Sequence, residues 1–391
     1  MARVWLQSAL WLGLALAASL ISIRVAVSVA LIEIVVGAIA GNTVGLHVTE
    51  WVNFLAGFGA ILLTFLAGTE IDPRIVRKHF RSSMSIGVVG FIAPYLGVLA
   101  YAHFLAGWPW PQAQIAGISL STTSVAVVYA VMIETGFNKT ELGKIILAAC
   151  FINDLGTVLA LGIVFAHYDL WMLLFGAVTA VVLAVLARYA PQLFKSLGNR
   201  VSEPQTKFVS LILLGLGGLA SVAGSEAVLP AYLVGMALAP TFLSEQELSH
   251  RMRIIAFSIL TPFYFLKAGS LVTMHAVATS IGLILIFLAI KMATKFVGIL
   301  PLTRYHNFDP REGMYTTLLM STGLTFGTIS ALFGLTNHII DQTQYTILVA
   351  AVIGSAVVPT LIAQTWFQPE FKAIAADPAL VEVEAVALEE L

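Results

Sequence analysis

Long apolar runs, each broken by a short polar interruption, follow one another from end to end of the chain. The first is WLQSALWLGLALAASLISI at residues 5–23 and the last covers 344–366. Between them lie runs at 25–44, 52–70, 84–106, 112–134, 143–165, 170–187, 206–223, 226–242, 254–275, 279–303 and 313–335. Each is near the ~20 residues that a helix needs to cross a bilayer. The pattern predicts an all-α polytopic membrane protein of about 13 transmembrane helices.

The polar interruptions sort by charge. Arg24, then Arg74, Arg77, Lys78 and Arg81, then Lys139 and Lys144, the stretch from Arg188 to Lys207, Arg251 with Arg253, and Arg304 with Arg311 occupy alternate loops. The intervening loops, around Thr49, Pro109, Tyr168, Ser225, His275 and Asn337, hold no lysine or arginine, and Trp51, Trp108, Trp110 and Trp171 sit at that interface. Positive loops stay cytoplasmic. The expected location is therefore the inner (plasma) membrane, multi-pass, with the N-terminus outside, the C-terminus cytoplasmic and Arg3 as the exception. Ala15-Leu16-Ala17 resembles a signal-peptidase site, but cleavage there would leave a freed end beside Arg24, which belongs inside, so residues 5–23 are read as a span.

Composition agrees: 59% of residues are hydrophobic, 10% are charged and mean hydropathy is +0.94. The net charge of -1 decides nothing, and a single cysteine, Cys150, excludes an internal disulfide. Residues 368–391 read as a short acidic cytoplasmic tail.

Two stretches recur about 200 residues apart. LTFLAGTEI (63–71) echoes FYFLKAGSL (263–271), and SLSTTSVAVV (119–128) echoes LMSTGLTFGT (319–328). Spans 1–6 would then repeat as spans 8–13, an odd offset of seven, so the two copies would lie inverted and be joined by a linking helix. Inverted repeats with discontinuous helices at the midplane characterise secondary transporters. The clusters Ser119, Ser121, Thr122, Thr123, Ser124 and Ser321, Thr322, Gly323, Thr325, Gly327, Thr328 are where such helices would break and cross.

Charges inside the spans supply the chemistry. Asp154, in CFINDLGTVLALG, lies ten residues beyond Lys144, about 15 Å at 1.5 Å per residue, which is the bilayer midplane. A carboxylate there costs roughly 2.5–3.5 kcal/mol to insert and is a functional candidate by default. Lys295 stands nine residues before Arg304 on a helix running the other way, at matching depth, so that the two are expected to meet and trade protons. Lys291, one turn earlier on the same face, competes for that role. Glu33 and Lys267 read as scaffold charges, and Glu70 with Asp72 as caps on the basic loop. The eight histidines form no i, i+4 pair, so no resident metal and no cofactor are expected. Two facing carboxylates, as an intramembrane aspartyl protease requires, are absent from the pattern, and an enzyme is not expected.

Together, Asn153-Asp154, the Thr-Ser run of the fifth span, Lys295 within TKFVG and FLAGTEIDP at 65–73 resemble the monovalent cation/proton antiporters of the Kef and Nap type, across residues 5–367. The resemblance implies a homodimer in the lipid bilayer. It divides the transmembrane region, 1–367, into a dimerisation part (about 1–75 and 206–276), a core that moves as an elevator (about 84–166 and 279–367) and a linker helix (about 170–190). It makes Asp154 the cation- and proton-binding carboxylate, Asn153 its polar neighbour, Lys295 the partner base, and Thr122, Thr123, Ser124 and Thr325 the crossover residues beside the ion. The expected activity is exchange of a monovalent cation, Na⁺ favoured and K⁺ possible, for H⁺. A single carboxylate resembles the electroneutral branch, whereas many of its members carry arginine where this chain has Lys295. The alternative is K⁺ efflux of Kef type by a channel-like or partner-gated path. A nucleotide-binding domain of the Kef kind is not expected in this chain, a separate cytosolic regulatory subunit is left open, and no nucleic-acid partner is expected.

Overall fold

The computed structural model describes residues 2–25, 28–46, 48–69, 78–135, 137, 140–165, 170–198, 200, 202–223 and 227–369. Every regular element among them is helical. In chain order these are α1 (Ala2–Val25), α2 (Val29–Thr43), α3 (Glu50–Thr69), α4 (Phe80–Ala100), α5 (Trp110–Ser121), α6 (Val125–Glu134), α7 (Glu141–Val164), α8 (Leu170–Leu197) and α9 (Pro204–Val222). There follow α10 (Val228–Ser244), α11 (Gln246–Ile255), α12 (Thr261–Ser270), α13 (Met274–Thr279), α14 (Ile281–Tyr305), α15 (Pro310–Met320), α16 (Thr325–Thr336) and α17 (Gln342–Trp366). A π-helical turn, Tyr101–Leu105, extends α4, and a second, Ala256–Leu260, joins α11 to α12.

Ten segments among the described residues are long and apolar enough to cross a membrane, so the chain is a multi-pass membrane protein. That is fewer than the thirteen expected from the pattern. Two of the missing segments, α2 and α10, are apolar but only 15 and 17 residues long. The third is cut into α5 and α6, of 12 and 10 residues, because the intervening hydroxyl side chains bond to nearby backbone in place of a continuous helix. Glu70, Asp72 and the tail from residue 370 lie outside the described residues.

Small residues set the closest helix contacts. A Cβ added to Gly68 of α3 would strike the carbonyl oxygen of Tyr232 on α10, and one on Gly235 would strike that of Phe65. The same relation holds between Gly37 of α2 and Leu266 of α12, and between Gly269 and Ile34. Without a hydrophobic drive between helices in lipid, such backbone-to-backbone approach is how helices adhere. At the periphery only 17% of the apolar windows of α1 and α8 is buried, against 89% for the α15–α16 segment. The buried centre, where α5, α7, α14, α15, α16 and α17 meet, is packed by Ile118, Ile146, Phe287, Leu318, Met320 and Val349.

Capping side chains hold the ends of the central helices. The Thr140 hydroxyl accepts the Gly143 N–H at 3.0 Å to start α7. Asp309 with Glu312 and Asp341 with Gln344 form capping boxes at α15 and α17. Each satisfies donors that a helix start leaves open.

Candidate ion-binding site

The helix pairs α5/α6 and α15/α16 are each interrupted in mid-course, at Thr122–Ser124 and at Ser321–Leu324. The two interruptions touch. The Ser124 N–H donates to the Thr322 carbonyl at 3.0 Å, and the Thr123 hydroxyl donates to the Met320 carbonyl at 2.7 Å. Two helix C-termini, from α5 and α15, and two N-termini, from α6 and α16, therefore converge on one buried point. Helix ends carry unpaired backbone groups and partial charge of opposite sign, so such a point demands polar partners.

Asn153 supplies them on one side. Its Oδ1 accepts the Thr123 N–H at 2.8 Å and its Nδ2 donates to the Ser121 carbonyl at 3.3 Å, so one amide spans the first interruption. Thr157, one turn on, donates its hydroxyl to the Asn153 carbonyl at 3.1 Å. Asp154 points elsewhere. It is 1% exposed, and its Oδ1 has no hydrogen-bond partner among the described residues. It lines a cavity of about 220 Å³ together with Val125 and Tyr129 of α6, Thr325 and Phe326 of α16, Leu63, Leu66 and Ala67 of α3, and Arg253 and Phe257. Val125 and Thr325 are the first residues of α6 and α16, so the carboxylate shares its cavity with the N-terminal, electropositive ends of both half-helices.

The lysines lie on the other side, both fully buried on α14. Lys295 Nζ donates to the Thr123 hydroxyl at 2.9 Å. The expected direct pairing with Asp154 is not formed: among the described residues the lysine and arginine ion pairs are Lys78–Glu141, Arg251–Glu203 and Arg251–Glu247. The direction of the α14 side chain instead delivers the Lys295 ammonium to the helix interruption. Lys291 Nζ donates to the Thr122 carbonyl at 3.2 Å and to Ser355 Oγ of α17 at 2.9 Å.

The predicted site residues thus divide. Asp154 and Thr325 share the cavity. Asn153, Thr122, Thr123 and Lys295 bond within the crossing, and Ser124 Oγ accepts the Val127 N–H at 3.4 Å as a cap on α6. Sequence reasoning missed Ser355, which carries no distinguishing signal among the small residues of α17. It also placed Arg253 in a basic loop, although its side chain lines the cavity.

Comparison with known proteins identifies the family and the fold. Residues 12–368 match the family described as sodium/hydrogen exchanger, transmembrane. A probable Na⁺/H⁺ antiporter 3 of Methanocaldococcus jannaschii is 26% identical over 353 residues, covering 86% of this chain and 88% of that protein. A Na⁺/H⁺ antiporter of Enterococcus hirae is 25% identical, covering 88% and 92%. The Na⁺/H⁺-K⁺ antiporter GerN of Bacillus cereus is 24% identical, covering 88% and 92%. The solved structure of the sodium proton antiporter MjNhaP1 from Methanocaldococcus jannaschii at pH 8 superposes with a TM-score of 0.68 at 13% identity, over 91% of this chain and 94% of that one, a likeness of fold. With the match running through nearly every helix described above, the chain belongs to the transmembrane sodium/hydrogen exchanger family, a family of transporters and not of enzymes.

Proposed function

We propose that this protein is a secondary antiporter exchanging a monovalent cation for H⁺, with Asp154 as the shared binding group. The observation that carries this reading is the orphaned Asp154 oxygen facing a cavity at the meeting point of two broken helices. A buried carboxylate without a partner is costly, and either a proton or a dehydrated cation relieves that cost. The two cannot occupy it together. Mutual exclusion at one carboxylate couples the fluxes, and one site carrying one charge at a time makes the exchange electroneutral. Relatives named for Na⁺, and one for both Na⁺ and K⁺, support a monovalent cation without choosing between them.

The packing also supports an inverted repeat of six spans on each side of the linking α8. Under that repeat, the third span against the ninth (α3 and α10) becomes the tenth against the second (α12 and α2). In both pairs glycines from each helix bring the backbones into contact. The elevator follows from the same division: α4–α7 and α14–α17 would slide, carrying Asp154 past a scaffold of α1–α3 and α9–α12 that forms the dimer. The cavity lies between these two groups, lined by α3 and Arg253 on the scaffold side. Arg253 lies near the start of its membrane-spanning segment, beside Arg251 on α11, and by the positive-inside rule that end, and with it the open side, is the cytoplasmic one, with the N-terminus outside. The cell membrane as location, the homodimer and the roles of Asn153 as latch, Lys295 as partner charge and Thr122, Thr123, Ser124 and Thr325 as the frame of the site belong to the same proposal.

The test is cation-driven proton movement in proteoliposomes containing a pH-sensitive dye, at zero membrane potential, with Na⁺ or K⁺ added outside. Wild-type protein is expected to exchange and Asp154→Asn to be silent. Exchange that persists in folded Asp154→Asn removes the basis of the assignment. Conductance without obligatory proton movement would establish the channel-like path instead.

A further inference from the structure

Lys291 is a fully buried ionisable side chain that the exchange reaction does not use. Its contacts are specific. Its ammonium bonds the Thr122 carbonyl, which closes the C-terminal end of α5, and Ser355 Oγ. Ser355 Oγ in turn lies 2.8 Å from the Val352 carbonyl and 3.4 Å from that of Gly323, just past the C-terminal end of α15. Gly323 is a glycine for the same reason: a Cβ there would fall on the Lys291 ammonium, and would come 3.0 Å from Thr122 Oγ1 and 3.2 Å from Ser355 Oγ. Four elements thus close on one nitrogen.

The electrostatics explain why a cation belongs there. Each helix C-terminus presents roughly half a negative charge. Two of them face each other across this point, in an interior where that repulsion is little screened. Carbonyl and hydroxyl oxygens at helix breaks are also what transporters use to coordinate monovalent ions. Left open, Thr122 O, Ser355 Oγ and Gly323 O would attract a mobile cation. We propose that Lys291 is a tethered counter-cation for the helix crossing, a positioning residue that binds the two half-helix ends and leaves Asp154 the sole exchangeable site. Lys295, one turn along α14 on the same face, holds the Thr123 hydroxyl of the same interruption.

The transport arm of the test rests on the antiport reading and the binding arm does not. Lys291→Met, which fills the space without charge, is expected to lower the maximal exchange rate by about tenfold or more, the equivalent of one charged hydrogen bond. Lys291→Ala opens room for a substitute. Its melting temperature in detergent is expected to rise with ethylammonium chloride and not with equimolar choline chloride, while wild type and Lys291→Met respond equally to both salts. A purely packing role for the side chain would not produce that selectivity. Exchange by Lys291→Met within about twofold of wild type overturns the proposal, as does an equal response of Lys291→Ala to the two salts. If Lys291→Met does not fold, the melting experiment on Lys291→Ala decides. Wild-type protein that fails to exchange any cation counts against the antiporter reading alone, because selective stabilisation by ethylammonium is read without transport.

Discussion

On one face of the helix crossing, Lys291 and Lys295 are buried and engaged, between them holding Thr122, Thr123 and Ser355. On the other, Asp154 is equally buried and keeps an oxygen without a partner beside a 220 Å³ cavity. Depth and burial are the same, so they do not distinguish a structural charge from a transporting one. Satisfaction does. A group tied by hydrogen bonds to its surroundings is held in place, whereas an oxygen left without one next to open space has a reason to bind something from solution.

The largest effect that separates the two faces is expected at Asp154. Asp154→Asn keeps the shape and removes the titrating charge, so cation-driven proton movement should vanish while the melting temperature is unchanged or higher. A marked loss of stability in that variant would mean the carboxylate is structural, and the contrast would collapse. Asn153→Ala, one residue away, should do the reverse. It strips partners from the Thr123 N–H and the Ser121 carbonyl, each costing about 1–3 kcal/mol when buried, so unfolding in denaturant should show a loss of roughly 2–6 kcal/mol. A neutral result would show that the break holds itself together without the amide.

The scaffold offers a control of intermediate size. Gly235→Ala drives a methyl group into the Phe65 backbone of α3 and is expected to destabilise by about 1–3 kcal/mol through overpacking. Exchange per folded protein should be retained, since Gly235 lies outside the cavity lining. Lost exchange in a folded Gly235→Ala variant would place the chemistry on the scaffold as well as the core.

What the sequence made legible follows the same division. The constant rise of a helix converts spacing into depth, so Asp154 and Lys295 were placed at one level from their distance to Lys144 and Arg304 alone. The hydroxyl and glycine clusters marked both interruptions to within a residue or two, because such side chains compete with helix continuity. Azimuth is what spacing does not carry. Whether Lys295 reaches Asp154 or Thr123 depends on the rotation of α14 against α5 and α7. That Arg253 turns into the cavity depends on how α11 enters the π-helical turn at Ala256–Leu260. Asn153 was paired with Asp154 as a neighbour in sequence, yet adjacent residues on a helix face about 100° apart, and here one faces the break while the other faces the cavity.

The smallest expected effect tests whether the cavity side is built for a cation at all. Thr325 begins α16 and shares the cavity with Asp154, so its hydroxyl is an uncharged candidate ligand by position. Thr325→Val keeps the volume and removes that oxygen. One neutral hydrogen-bond equivalent is about 1 kcal/mol, so the apparent KM for the cation should rise roughly fivefold with the maximal rate unchanged. Competition at Asp154 adds a second signature. On the acid side of its titration, each unit fall in pH should raise the apparent KM about tenfold in wild type and variant alike, because proton and cation exclude one another. Parallel lines displaced by the valine would place the hydroxyl on the bound cation and the proton on Asp154 alone. Lines that converge at low pH would instead mean that Thr325 acts on proton binding, and the cation would have to be held by the crossing residues on the ammonium face.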